Sequence, residues 1–256
     1  MDIGKLEHIN VGGIITKINE MCYMDKCHPD YQKGQSTNIM DLVFMPSFST
    51  YKRTIINRLY QINISLLYIK RYAKRIKNTT IYQYNTERGN LMELNKEVTD
   101  ADLKNIAYFN YFAENLFIRG FTVLDCLMRM EVQKGRDGGY LSNGKNIREI
   151  TFCERTIKML KNKNELCEKL LAIVKSDAFK RIKEYRHCII HDVDTTQPRF
   201  VAKKDKNGKN VKYTLGYSQA EEPINIIPKI IDFAEILDNV ADAFLCLYPD
   251  CPKSLG

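Results

Sequence analysis

The sequence holds no tryptophan, and no apolar run approaches the roughly 18 residues that a membrane-spanning helix needs. Its opening, MDIGKLEHIN, lacks the basic stretch and uninterrupted apolar segment of a secretory signal. The last two of these absences predict a soluble, cytoplasmic protein with no membrane contact. A fourth absence is local: residues 51–84 contain no aspartate or glutamate. A solvated helix normally mixes signs, because Glu–Lys pairs support it and like charges repel. Zinc chemistry is poorly served as well. Cys22, Cys27 and His28 lie close together, but no second C-x2-C or H-x3-H group accompanies them. The glycine-rich stretch 134–146 has neither a preceding strand nor the G-x4-G-K-[ST] spacing of a phosphate-cradling loop, and reads as a connection. No metal and no cofactor is expected.

What is present describes an ordinary globular chain. Its 256 residues are 44% hydrophobic and 27% charged, with a net charge of +8. That is enough for one substantial core, and the positive balance favours an anionic partner such as nucleic acid. Residues 1–50 read as an irregular N-terminal arm, 51–250 as a single domain and 251–256 as a tail. Eight cysteines are scattered. Cys126, Cys153, Cys167, Cys188 and Cys246 sit in helical patterns and read as small core residues in a reducing compartment.

Hydrophobic periodicity predicts an all-α antiparallel helical bundle. A helix over 6–24 is weakened by Gly12-Gly13. Over 51–78, Ile55, Leu59, Ile62, Leu66, Ile69 and Ala73 recur at spacings of three and four. The other face of that helix carries Arg58, Lys70, Arg71, Lys74 and Arg75 among its cations, interleaved with tyrosines that can stack on unpaired bases. These five are the candidate RNA-binding residues; a plain solvated basic face fits them equally well. Residues 79–94 read as a loop with short ordered pieces. Thr99-Asp100 caps a long, largely apolar helix over 103–133. Further helices are expected over 147–160 and 164–174, with Ser176-Asp177 capping the next one. Past it, the period changes to that of strands, and Asn207-Gly208 marks an inserted β-hairpin at 199–217. An amphipathic helix over 229–247 follows.

The helix over 178–194, AFKRIKEYRHCIIHDVD, carries the anomaly. At 100° per residue, Phe179, Ile182, Ile189, Ile190 and Val193 share one face, and Arg186 falls in the middle of it at about 340° from Phe179. A guanidinium cannot shed its charge to ease burial, so an inward arginine must meet a carboxylate, a phosphate or a cleft. His191 follows five residues later, roughly 140° around the helix.

The run Arg186-His187-Cys188-Ile189-Ile190-His191 resembles the R-x4-6-H motif of the HEPN family, small all-α domains many of which are metal-independent ribonucleases of toxin and anti-phage systems. The resemblance implies an HEPN-like bundle, with Arg186 and His191 catalytic and His187 in the polar position after the arginine. It also implies an acidic or polar residue on the preceding helix that faces the arginine. Asp125 and Glu114 share the polar edge of that helix, within about 20° of each other, and Asp125 is the better placed. An ordinary surface carboxylate is the competing reading of each. The partners implied are RNA, a second copy docked through the motif helix, and an antitoxin or defence-system protein. Val193 stands where some relatives carry a tyrosine two places past the histidine, so adenylylation at that place is not expected.

Cleavage of RNA by its own 2′-OH needs a base, an acid and positive charge on the phosphorane, and leaves a 2′,3′-cyclic phosphate. Histidine titrates near working pH and suits the proton steps, while arginine can hold two phosphate oxygens at once. One motif histidine for two proton roles is explained by a composite site at a dimer interface, or within one chain by His187 and His191 at i,i+4. Three other readings stay open: a non-catalytic HEPN module that binds RNA or protein, a metal held by the two histidines, and a structural helix in which Arg186 pairs with Asp125 or Glu114.

Overall fold

The computed structural model of the chain describes residues 3–27, 48–77, 82–85, 91–133, 149–160, 164–191, 198–204, 210–217 and 223–246. For residues 3, 21–27, 48, 49, 133 and 191, and for the strands, only the backbone course is described. The Asn207-Gly208 turn, the glycine-rich stretch 134–146 and the thiols of Cys22 and Cys27 with His28 lie outside that description, as do residues 29–47 of the arm, Val193 and the tail.

Asn10 decides how the chain begins. Helix α1 (Ile3–Glu7) gives way to α2 (Val11–Cys27), and Asn10 Oδ1 accepts the Gly13 N–H at 3.0 Å. Such a side-chain cap satisfies a free helical donor. The single helix expected over 6–24 is therefore two, and the break falls at the capping residue just before the glycines. Leu6, Val11, Ile14 and Ile18 are buried.

The longest helices form an antiparallel pair. In α3 (Phe48–Ala73) and α4 (Asp100–Gln133), Tyr68 stacks on Phe112 and Tyr72 on Tyr108, so the sequence positions run in opposite directions. Ile55, Leu59, Ile62, Leu66, Ile69 and Ala73 are all buried, the stripe that the 3.6-residue period predicts. Between the two helices, β1 (Tyr82–Asn85) and β2 (Leu91–Leu94) pair antiparallel. Thr99 begins α4 in a reciprocal cap: Asp102 N–H donates to Thr99 Oγ1 at 3.2 Å, and Thr99 Oγ1 donates to Asp102 Oδ2 at 2.7 Å.

Beyond α4 the sequence expects a helix over 147–160, whereas among its described residues, 149–160, the α-helix is confined to α5 (Glu154–Ile157). The reason lies in the backbone ahead of it. Phe152 N–H donates to Asp125 Oδ1 at 2.7 Å, and Cys153 is extended at φ −152°, ψ 163°, so this stretch is bound to α4 instead of coiling. Helices α6 (Asn164–Lys175) and α7 (Asp177–His191) follow. Strands β3 (Pro198–Lys204) and β4 (Asn210–Tyr217) pair antiparallel, with a register irregularity between Lys203 and Lys204. Helix α8 spans Pro223–Leu245 and contains Pro228, so it begins ahead of the expected start at 229. Pro223 opens the helix, where a missing N–H costs nothing. Pro228 lies one turn further in, and its ring is accommodated.

The core of the bundle is aromatic where α4, α7 and α8 meet. Phe233 stacks on Phe117 at 5.3 Å and on Phe121 at 5.2 Å, and Phe179 packs at 5.9 Å from Phe121. Burying one such ring contributes about 1.5–3 kcal/mol. The described chain is predominantly helical, and no described helix is long and apolar enough to cross a membrane.

Candidate functional site

Serine 176 sets the register of α7. Its Oγ accepts the Phe179 N–H at 3.1 Å, capping the helix one turn before the first core residue. Phe179 and Ile182 are then buried, and Arg186, one turn beyond Ile182, follows them toward the interior. The guanidinium carbon lies 5.2 Å from the centroid of the Phe121 ring. Arg186 Nε is buried and has no hydrogen-bond partner. A cation over an aromatic face gains about 0.5–2 kcal/mol, but the ring does not replace the lost hydrogen bond of a desolvated donor.

Asp125 stands one turn along α4 from Phe121, with its 2.7 Å hydrogen bond coming from Phe152. Burial pushes the Asp125 carboxyl above its usual range; the Phe152 N–H and the charges of Arg129 and Arg186 pull the other way and do not prevail. Arg129 is itself pinned, its Nε donating to Ile150 O at 2.9 Å. Residues 150–152 are thus laced to α4 at two points. Phe121 and the Asp125 carboxyl neighbour Arg186, and the tethered segment reaches α7 through Phe152, whose ring lies 5.6 Å from that of Phe179.

The other expected residues fall as follows. Glu114 is half-buried on α4 and already engaged. His187 is exposed on α7 and also engaged. His191 is the last residue of α7. Ile190, expected inward, is 44% exposed, and Cys188 and Cys246, expected in the core, are exposed. They occupy the outer side of α7 and the turn that ends α8. Cys126 is buried; Cys153 and Cys167 are half-buried.

The cations of α3 divide. Arg58 Nη1 donates to Gln61 at 2.7 Å, while its Nε is buried without a partner. Lys74 pairs with the Glu7 carboxylate at 2.7 Å, and Lys70 donates to Glu7 O at 3.2 Å. These two hold α1 and cover the end of its carbonyls. Arg71 and Arg75 are exposed. The structure therefore brings Arg186 and Asp125 into each other's field, ties Arg58 to Gln61 and Lys70 and Lys74 to Glu7, and leaves Arg71 and Arg75 exposed.

Phe121, Phe152 and Arg129 are absent from the sequence reading. Phe121 had a signal, since it precedes Asp125 by one helical turn. The Phe152 donor and the Ile150 acceptor are backbone groups with no mark in the sequence. Among the described residues, no three His, Cys, Asp or Glu side chains gather where they could hold a metal ion.

Compared with known families, residues 51–248 match the one described as Cthe2314-like HEPN. No curated protein and no solved structure matches the chain.

Proposed function

The chain belongs to the Cthe2314-like HEPN family, and from that premise we propose that it is a metal-independent endoribonuclease with Arg186 and His191 as its catalytic pair. The observation that carries the reading is Arg186 itself. Its guanidinium is drawn inward over Phe121, yet its buried Nε has no partner. A folded chain rarely leaves a buried donor unmade, and a phosphate oxygen satisfies it.

In this reading Arg186 binds the scissile phosphate and stabilises the charge that builds on the phosphorane. A histidine takes the proton of the 2′-OH, whose oxygen attacks the adjacent phosphorus. The bond to the 5′-oxygen breaks, and an acid returns a proton to that oxygen, leaving a 2′,3′-cyclic phosphate and a 5′-hydroxyl. His191, at the C-terminal end of α7, sits where the helix dipole favours imidazolium. Asp125 is a positioning residue that acts through Arg186. The second proton role belongs to a second copy docked through α7, with His187 as the chain-internal substitute. A toxin or anti-phage role, with an antitoxin or defence-system partner, fits the family.

The test compares cleavage of labelled tRNA and mRNA by the parent protein, Arg186→Ala and His191→Ala, with melting temperatures measured in parallel. Loss of cleavage in both variants with the fold intact is expected. Undiminished cleavage in either one overturns the assignment. Mixing the two inactive variants restores activity if the site is shared between subunits.

A further inference from the structure

Four rings form a near-parallel stack across the α3–α4 pair, away from Arg186. Tyr108 lies 5.1 Å from Tyr72, Tyr72 lies 6.0 Å from Phe112, and Phe112 lies 4.4 Å from Tyr68, with interplanar angles of 25°, 13° and 9°. The terminal rings of this stack are open to solvent, Tyr68 37% and Tyr108 42% exposed, and Tyr111 beside Phe112 is 58% exposed. Core aromatics do not need this arrangement, and rings left at a surface mark a contact.

Charge selects what makes the contact. Arg71, on α3 one turn past Tyr68, and Arg75, in the turn that follows α3, lie just beyond Tyr68 and Tyr72 in the chain, and Lys104 precedes Tyr108 by one turn of α4; all three are exposed. Residues 51–84 contribute no carboxylate. Of the two acids that open α4, Asp102 is tied to Lys77 N–H and to the Thr99 cap, and Asp100 remains exposed at that end. A second copy on this face would set arginines against arginines. An anionic partner with flat rings is complementary, and single-stranded nucleic acid combines the two.

We propose that the Tyr68–Phe112–Tyr72–Tyr108 stack is a landing for unpaired RNA bases, with Arg71, Arg75 and Lys104 taking the phosphates. Phe112 and Phe121 are nine residues apart on α4, about 14 Å at 1.5 Å per residue. That distance matches about four stacked nucleotides at roughly 3.4 Å each. Resting on the ribonuclease reading, the landing makes the enzyme select bonds flanked by a single-stranded stretch of that length.

Binding is measured in the His191→Ala background, so that RNA stays whole, by fluorescence anisotropy with an unstructured 12-nucleotide RNA and with a duplex of equal length. Tyr68→Ala and Tyr108→Ala are expected to weaken single-strand binding by about 5- to 100-fold each, with Tyr108→Phe near the parent and the duplex bound less tightly. Single-strand binding unchanged in both alanine variants overturns the proposal, as does a changed oligomeric state with RNA binding intact, which identifies a protein-docking face. If an alanine variant fails to fold, photocrosslinking of 5-iodouridine RNA to the unmutated rings decides: adducts on Tyr68 or Tyr108 support the landing, and adducts only elsewhere overturn it. Lost binding in a protein that cuts no RNA leaves the landing standing and removes the nuclease. Intact binding in the alanine variants of a protein that cuts RNA does the reverse.

Discussion

The guanidinium of Arg186 lies 5.2 Å above the ring of Phe121, one helical turn from Asp125, and its buried Nε donates to nothing. A structural arginine would be spent on a partner, and removing it would strand that partner at a cost of about 3–5 kcal/mol. Here the cation–ring contact, about 0.5–2 kcal/mol, and the attraction to the Asp125 carboxyl are lost, and one unsatisfied donor goes with them. Arg186→Ala should therefore melt within a few degrees of the parent while losing RNA cleavage by about 100-fold or more. Thermal melts beside cleavage rates check this; a collapse in stability would assign the residue to the fold.

Asp125 makes a pH-dependent prediction. Its folded carboxyl is raised by burial, so the folded chain holds this proton to higher pH than the unfolded one. Its contribution is most favourable below the unfolded value near 3.8 and is lost as pH rises through the folded value. Asp125→Asn keeps an acceptor for Phe152 N–H and carries no charge. The variant should match the parent's melting temperature at acidic pH, then exceed it as pH rises past about 4, the gap levelling off above the folded value. A gap of the opposite sign would mean that Arg129 and Arg186 outweigh burial.

Gly120 separates packing from propensity. Replacing a mid-helix glycine with alanine ordinarily gains about 1 kcal/mol. A Cβ at Gly120 would meet Phe233 Cε1 at 2.3 Å and Cζ at 2.5 Å, inside the aromatic cluster that supports Phe121. Overpacking of this kind costs about 1–3 kcal/mol or more, so Gly120→Ala should destabilise despite its propensity. Chemical denaturation measures the sign; a more stable variant would refute the close contact of α4 and α8.

Ser176 anchors α7 at the end opposite His191. Ser176→Ala removes the acceptor of Phe179 N–H and should cost about 1 kcal/mol, with cleavage retained at temperatures where the variant is folded. Loss of cleavage without loss of stability would show that the cap tunes the site.

Much of this arrangement is written in the periodicity. The stripe of α3 and the inward turn of Arg186 after Phe179 and Ile182 both follow from 3.6 residues per turn, because each is a local property of one helix. The expected helix over 147–160 failed for the opposite reason. Its apolar spacing is real, but Phe152 N–H is taken by a carboxylate 27 positions away, and a tertiary acceptor outcompetes the helical one. The exposure of Ile190, about 20° from Phe179 on the projection, depends on neighbouring helices that a single-helix projection does not contain, whereas Cys188 falls about 180° from Phe179 and its outward place was legible. Lys70 and Lys74 read as free cations because Glu7, far off in the chain, is invisible from α3.

The most direct measurement is the chemistry of the cut ends. Purified protein with excess EDTA and labelled RNA should yield 2′,3′-cyclic phosphate and 5′-hydroxyl ends, and His191→Ala should yield none. Cleavage that stops with EDTA, or that leaves 5′-phosphate ends, would contradict a site in which Arg186 and an imidazole do the work.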